Sequence, residues 1–216
     1  MKRLAVLLFM MAAALGLAQQ PKGRPRPPAS DWVSLFNGKD LTNWKPVGNE
    51  RWTVEDGVIH GQGVSKEYGY LATEKTYKDF HMSRRFKCDA AGNSGVFFHS
   101  SFKPNSVDIL GVQAEIDPVI GHHTGGLYGG LADGTAGWIV WPAPENETVL
   151  RPYEWNDMLI RVEGNRVRVR LNSVDMIDFT NPRPAFTEGV IALQLHSGGL
   201  GNMRFKDLLI RDLSAR

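Results

Sequence analysis

Hydrophobic and polar residues alternate with a period of two along most of the chain beyond residue 30, and no segment there has the convincing 3.6-residue period of an amphipathic helix. The alternation is clearest in 166–171, where two valines and a leucine fall on one face and three arginines on the other. This pattern predicts a half-buried antiparallel strand. With turns at Gly164-Asn165 and Asn172-Ser173, the region 158–179 is predicted to form an antiparallel meander.

Turn-forming residues recur about every 8 to 12 residues, and the chain contains 23 glycines. Short strands separated in this way are typical of a two-sheet sandwich. The fold class is therefore predicted to be all-β, a two-sheet antiparallel sandwich of the jelly-roll type. Further strands are predicted at 52–60, 79–88, 94–100, 111–117, 136–141, 188–196 and 203–213.

The first 18 residues have the pattern of a secretory signal peptide. Lys2 and Arg3 precede an apolar run at 4–15, and 16–18 (GLA) matches a small-x-small cleavage site. We therefore expect a secreted protein, either periplasmic or extracellular. No later stretch approaches the ~18 consecutive apolar residues that a membrane helix needs, so no membrane span is expected in the mature chain.

A Pro-rich segment, 19–30, follows the signal and is predicted to be a semi-rigid linker, which leaves 31–216 as one domain. The chain has 25 basic and 23 acidic residues, but five of the basic residues precede residue 31. The domain itself therefore has 20 basic and 23 acidic residues, a net charge of −3. A domain with this charge is a poor partner for nucleic acid.

The most informative segment for chemistry is 111–118, because alternation places Gln113, Glu115 and Asp117 on one strand face. Neighbouring side chains on such a face are about 6.5 to 7 Å apart, a separation at which two carboxylates can handle one small polar ligand. The alternative is an exposed polar strand face. His122 and His123 follow, and then a glycine-rich loop at 124–128 where a ligand could approach the backbone.

The string Glu115-Ile116-Asp117 also resembles the active-site strand of laminarinase-type glycosidases, which carries a second glutamate. Val119 and Ile120 occupy the positions where that glutamate would stand. Double displacement with two carboxylates therefore lacks its acid on this strand.

Two further side chains have ambiguous patterns. Phe97 and His99 share a strand face, and His99 is either a base or metal ligand or an ordinary surface or core histidine. Arg84 falls on a mostly apolar face, where an unpaired guanidinium would be costly. Either that face binds the ligand and Arg84 meets Glu115, or a bulge shifts the register.

Aromatic side chains offer flat surfaces on which sugar rings stack. Trp138 and Trp141 follow the glycine-rich loop and are the better platform candidates, and His196 ends an apolar strand from which it could reach the same rim. The candidate substrate-binding residues are Arg84, Gln113, Tyr128, Trp138, Trp141 and His196.

With these residues in view, the chain resembles the 3-keto-disaccharide hydrolase domain family. The resemblance covers about residues 32 to 213. The strings that carry it are 35–44 (LFNGKDLTNW), 52–58 (WTVEDGV), 93–98 (NSGVFF), 113–117, 124–128, 154–156 and 205–210. It implies a concanavalin A-like jelly roll, secretion, and action on glycosides already oxidised to a ketone at C3.

Such a ketone makes the C2 hydrogen acidic, so the reaction needs a base and a group that stabilises the enolate oxygen. The aglycone would leave C1 by elimination, and water would add back. Glu115, Asp117 and His99, helped by Arg84, are the predicted catalytic residues. A partner oxidoreductase would make the 3-keto substrate.

A divalent metal could also hold the enolate. Its candidate ligands are Glu115, Asp117, His99, His122 and His123, a mixed oxygen and nitrogen set that suits Zn²⁺ or Mn²⁺. Two other functions stay open from the residues alone: a carbohydrate-binding module without catalysis and, less favoured, a conventional endo-β-glucanase.

Overall fold

The structure is a computed structural model that describes residues 31–64, 66–130, 136–198 and 200–214. The predicted signal peptide and linker, 1–30, lie outside the described residues. The described chain is almost entirely β, with two antiparallel sheets, called sheet A and sheet B here, and one short helix. The predicted fold class is confirmed.

Sheet A has eight strands. Its order is β13-β12-β11-β6-β15-β4-β3, with β1 pairing with β15. The strands are β1 (Val33–Ser34), β3 (Arg51–Glu55), β4 (Val58–Val64), β6 (Phe80–Cys88), β11 (Asn156–Glu163), β12 (Arg166–Leu171), β13 (Val174–Thr180) and β15 (Leu200–Asp212). The meander predicted over 158–179 is confirmed as β11, β12 and β13.

Sheet B has seven strands in the order β10-β9-β8-β7-β14-β5-β2. They are β2 (Trp44–Val47), β5 (Gly69–Tyr77), β7 (Ser94–Phe102), β8 (Ile109–Ile116), β9 (Leu127–Gly130), β10 (Ala136–Val140) and β14 (Gly189–Leu195). Helix α1 (Pro144–Glu147) connects the two sheets between β10 and β11.

The core lies between the sheets because each strand turns one set of alternate side chains inward. In β6 every second residue is buried, including Phe80, Met82 and Phe86. Sheet B contributes Val96 and Leu193, which are fully buried. The inner faces are therefore apolar, and the outer faces are left for polar side chains.

The structure corrects several strand predictions. The single strand expected at 52–60 is a hairpin, because Asp56 and Gly57 both have positive φ (51° and 74°) and form the two-residue turn between β3 and β4. Part of the predicted loop 124–128 belongs to β9. Strands β1, β2 and β5 and helix α1 were not predicted.

Helices long and apolar enough to cross a membrane are absent from the residues that the structure describes.

Candidate functional site

A cleft of about 980 Å³ opens on the outer face of sheet B. Gln113 and Glu115 of β8 and Gln194 of β14 form its floor. They point away from the core, since Ala114 and Ile116 fill the inner face of β8. All three floor residues are nevertheless at least 95% buried. The prediction that Gln113 and Glu115 share one face is confirmed. The alternative prediction, that this face is exposed to solvent, is wrong.

Hydrogen bonds between the floor side chains hold Glu115 from both sides. Asn93, in the loop before β7, donates to Glu115 Oε1, and Gln113 Nε2 donates to Glu115 Oε2 at 3.0 Å. Gln113 Nε2 also lies 3.1 Å from Gln194 Oε1. Gly95 of β7 makes this possible, because a Cβ at that position would overlap the Gln113 amide. The network is thus built from three neighbouring strands and one loop.

Burial raises the pKa of Glu115 to about 8. The nearby Asp117 carboxylate raises it further, while the hydrogen bond from Asn93 lowers it. Burial dominates because desolvation disfavours the charged form of a carboxyl. Glu115 therefore keeps its proton near neutral pH, as a carboxyl group that donates a proton in a reaction must.

Asp117 lies just beyond β8, where it shapes the loop that follows. Its Oδ1 accepts the backbone N–H of Val119 at 2.8 Å and lies 3.3 Å from His122 Nδ1. The Thr124 hydroxyl bonds to both backbone groups of Asp117 at 2.8 Å. Asp117 Oδ2 accepts a longer bond, 3.4 Å, from Asn93. Asn93 therefore ties Asp117 to Glu115 at one end of the cleft.

One wall of the cleft is formed by Tyr128 of β9, Trp138 of β10 and His123. The Tyr128 and Trp138 rings are 5.6 Å apart, and the Trp138 and His123 rings are 5.1 Å apart. Trp141 packs against His123 at 4.8 Å and lies 6.1 Å from Trp138, but it does not line the cleft. Of the two predicted platforms, only Trp138 therefore faces the cleft.

The opposite wall consists of Tyr68, Tyr70, Phe97 and His196. His196 packs edge-on against Tyr68 with 4.8 Å between the ring centroids, as expected for a rim residue. The three other aromatic side chains were not predicted as site residues. Tyr68 directly precedes β5 and Tyr70 is near its start, and the sequence pattern did not reveal this strand. Phe97 could have been found because it shares the outer face with Gln113.

His99 does not lie in the cleft. The β7–β8 register shifts between Phe98 and Ser101, and His99 has a positive φ of 49°. Its ring turns toward Phe80 and Phe98, and its Nε2 lies 2.6 Å from the Lys78 carbonyl oxygen. Burial lowers its pKa. The prediction that His99 shares a face with Phe97 is wrong, because a bulge interrupts the alternation of β7, and the alternative of a core histidine fits its position.

Arg84 is fully buried between the two sheets. Its Nη2 contacts the Met158 sulfur, while Nε and Nη1 make no hydrogen bond within the described chain. Burial lowers its pKa to about 9. The alternation of β6 is unbroken at Arg84, so neither predicted alternative holds: its face is the core, and no bulge in β6 turns it away. It cannot meet Glu115, which lies on the outer side of sheet B.

The five predicted metal ligands are not assembled into one centre. Among the described residues, no group of three or more His, Cys, Asp or Glu side chains is placed to hold a metal ion. Asp117 and His122 form a pair, His123 turns its Nδ1 to Glu147, and His99 lies elsewhere. A divalent metal stays a prediction from the sequence.

A second hollow, of about 1190 Å³, lies next to the cleft on sheet B. The three acidic residues that line it, Glu67, Glu74 and Asp108, are all exposed. It therefore lacks the buried carboxyl and amide network that marks the cleft around Glu115.

Comparisons with known proteins agree with the fold and point to one family. The sequence profile of the 3-keto-alpha-glucoside-1,2-lyase-like domain matches residues 31–211. A curated 3-keto-disaccharide hydrolase from Bacteroides thetaiotaomicron is 30% identical over 80 residues, which cover 32% of this chain and 28% of that protein. The aligned part is thus less than a third of the relative's length.

Two solved structures show similar folds. One, from Parabacteroides distasonis and provisionally described as a glycosyl hydrolase, has a TM-score of 0.67 and 26% identity, and the match covers 86% of this chain and 95% of that chain. The other is a carbohydrate-binding module from Bacillus subtilis with a TM-score of 0.59 and 17% identity, covering 83% of this chain and all of that chain (100%). At that identity the second match shows the fold alone.

Proposed function

Because the chain belongs to the 3-keto-alpha-glucoside-1,2-lyase-like domain family, we propose that it cleaves glycosides whose sugar carries a ketone at C3. The name of the curated Bacteroides relative supports the same substrate class. The observation that carries the proposal is the buried Glu115, which keeps its proton near neutral pH at the floor of a cleft with aromatic walls. Such a cleft suits a sugar ring.

The chemistry follows from the ketone. A base removes the C2 hydrogen as a proton, and the electron pair left on C2 forms the enolate of the C3 ketone. The enolate then re-forms the ketone and expels the glycosidic oxygen from C1, which leaves a C1–C2 double bond. Addition of water, with oxygen to C1 and hydrogen to C2, completes a net hydrolysis. This route needs one acid and one base but no carboxylate nucleophile.

Glu115 is proposed as the acid. In its neutral form it gives its proton to the glycosidic oxygen as the C1–O bond breaks, and in its ionised form it takes a proton from the water that adds to C1. Asn93 and Gln113 hold its two oxygens in place for both steps. Because Glu115 acts as the acid in one step and as the base toward water in the other, the strand needs no second glutamate.

The two aromatic walls are proposed to bind different parts of the substrate. Tyr128 and Trp138 lie next to the floor that holds Glu115 and would contact the keto sugar. Tyr68, Tyr70 and Phe97 form the other wall and would contact the aglycone or second sugar. Aromatic rings offer apolar faces that suit the C–H faces of sugars.

The signal-like segment 1–18 supports action outside the cytoplasm, in the periplasm or beyond the cell. The substrate would have to be supplied by an oxidoreductase that converts a C3 hydroxyl to a ketone, because the cleft is proposed to act only after that oxidation.

The proposal is tested by incubating the protein with a 3-keto glucoside that carries a chromophoric aglycone and measuring aglycone release. The wild type is expected to release it, and Glu115→Gln is expected to reduce the rate by at least ~100-fold, since it lacks the proton donor. Glu74→Gln, on the exposed part of β5, is the matched control and should be unchanged.

Three results would count against the proposal. Absence of release from a panel of 3-keto glycosides would overturn it. Tight binding of oligosaccharides by calorimetry without turnover would indicate a carbohydrate-binding module instead. Hydrolysis of an unoxidised β-glucan at the same rate would indicate an ordinary glucanase.

A further inference from the structure

His123 has an unusual backbone conformation at the edge of the cleft. Its φ is 64°, in the left-handed region that a non-glycine residue adopts only at a cost. Two hydrogen bonds hold it there: its N–H donates to Glu147 Oε2 at 2.8 Å, and its carbonyl accepts the N–H of Gly126 at 2.8 Å. The surrounding structure thus stabilises a backbone conformation that is unfavourable for a histidine.

The same Glu147 also fixes the imidazole ring. Its Oε1 lies 2.9 Å from His123 Nδ1, and Glu147 is only 4% exposed. Trp138 and Trp141 pack against the ring at 5.1 and 4.8 Å. Because a carboxylate only accepts hydrogen bonds, it selects the tautomer with the proton on Nδ1. Nε2 is then left with a free lone pair, and it has no hydrogen-bond partner among the described residues.

This ring lies in the same cleft as Glu115. Gln113, Tyr128 and Trp138 are paired in register across β8, β9 and β10, so their side chains form one row over about 10 Å, two strand spacings. His123 contacts the Trp138 end of that row. The loop that carries it returns to Glu115, whose N–H and carbonyl bond to Gly126 and Gly125 at 3.0 Å.

We propose that His123 is the base that removes the C2 proton, and that Glu147 is the residue that positions it. This inference rests on the proposed function and deepens it by dividing the two proton transfers between the floor and one wall of the same cleft. His123 Nε2 takes the proton from C2, and Glu115 gives a proton to the glycosidic oxygen. When water adds, Glu115 takes a proton from the water and His123 returns one to C2, so both groups end as they began.

A substrate analogue without a leaving group separates the two roles. A 3-keto 1,5-anhydro sugar has the acidic C2 hydrogen but no aglycone to expel, so in deuterated water the removal of the C2 proton is observed as exchange of that hydrogen. The exchange is followed by NMR. The wild type and Glu115→Gln are expected to exchange at similar rates, while His123→Gln is expected to exchange at least ~100-fold more slowly.

Glu147 is tested with the same analogue and with a spectrum that reports on the ring itself. Glu147→Gln is expected to slow exchange by ~10-fold or more, and Glu145→Gln, on the exposed side of the same helix, is the matched control. In nitrogen-15 NMR spectra of labelled histidines, the wild-type His123 should be protonated on Nδ1 and not on Nε2. In Glu147→Gln the His123 ring should no longer be restricted to the tautomer protonated on Nδ1. If Glu147 had only a structural role, this change in tautomer would not be expected.

The outcomes distinguish this inference from the function on which it rests. A wild type that cleaves 3-keto glucosides, with His123→Gln as fast as the wild type or with exchange lost in Glu115→Gln instead, overturns the role of His123 alone. A wild type that neither exchanges nor cleaves overturns the proposed function and the role of His123 together. If His123→Gln does not fold, a wild-type ring protonated on Nε2 overturns the inference by itself.

Discussion

The outer faces of the two sheets differ in how their polar side chains are stabilised. On sheet A, the arginines of β12 form ion pairs with residues of the neighbouring strands, such as Arg166 with Asp178 at 2.6 Å and Arg168 with Glu163 at 2.6 Å. These side chains remain 30–50% exposed. Solvent screens such pairs, so each contributes little to stability.

On sheet B, the polar floor residues are buried. Two are neutral amides, and the third, Glu115, keeps its proton near neutral pH. Gln113, Glu115 and Gln194 are at most 5% exposed, and they bond to each other instead of to solvent. In an environment of low polarity these bonds are stronger, and losing one partner is costly. Charge density alone would therefore select the wrong face of this molecule, because the most highly charged face is the solvated one.

The largest expected effect follows from the raised pKa of Glu115. An unfolded glutamate loses its proton near 4.5, whereas Glu115 in the fold keeps it until about 8. The native state therefore binds more protons in this interval, and its stability falls as the pH rises from about 4.5 to about 8 and levels off above. Since each pKa unit corresponds to about 1.4 kcal/mol, the loss amounts to several kcal/mol.

Glu115→Gln removes this dependence. The difference in unfolding free energy between wild type and variant, measured by urea titration at several pH values, should slope across this interval. A constant difference from pH 5 to pH 8 would contradict the assignment of a raised pKa to Glu115. Glu74→Gln, whose carboxyl is exposed, should leave the wild-type slope unchanged.

A smaller effect is expected from Gly95→Ala. The new methyl would overlap the Gln113 side chain and displace it from Glu115 and Gln194. Leaving buried polar groups without partners costs about 1–3 kcal/mol, and turnover should fall because Glu115 loses a donor. The double variant Gly95→Ala with Gln113→Ala checks the cause: in that background the cost of the glycine change should largely disappear. If Gly95→Ala were equally destabilising in the Gln113→Ala background, its effect would not come from displacing the Gln113 side chain.

The features of the fold and of the cleft that could be predicted from the sequence are those encoded by residues close together in the chain. The shared face of Gln113 and Glu115 and the meander of β11 to β13 follow from alternation within a few residues, and the structure has them. Asn93 and Gln194 were missed because they reach Glu115 and Gln113 from a loop and a strand that are distant in the sequence, and pairing between distant segments is not encoded in local periodicity.

Alternation also misled where the backbone departs from it or where it does not identify which face is the core. His99 lies in a bulge and has a positive φ, so counting by two assigned it to the wrong face. Arg84 follows the count, but the count does not say that its face is the core. Glu147 comes from a four-residue helix with no periodic signal, and its contact with His123 spans 24 positions.

The smallest expected effect tests the solvated side of the comparison. Arg166→Ala removes both hydrogen bonds to Asp178, at 2.7 and 2.6 Å, yet these side chains are half exposed. Water and salt replace most of what the pair contributes, so the variant should unfold at the same temperature as the wild type within the error of a thermal melt, and turnover should be unchanged. The measurement is repeated in 1 M salt, at which the Debye length is only ~3 Å. A clear drop in melting temperature at low salt that vanishes at high salt would show that the outer face of sheet A carries more of the stability than its exposure indicates.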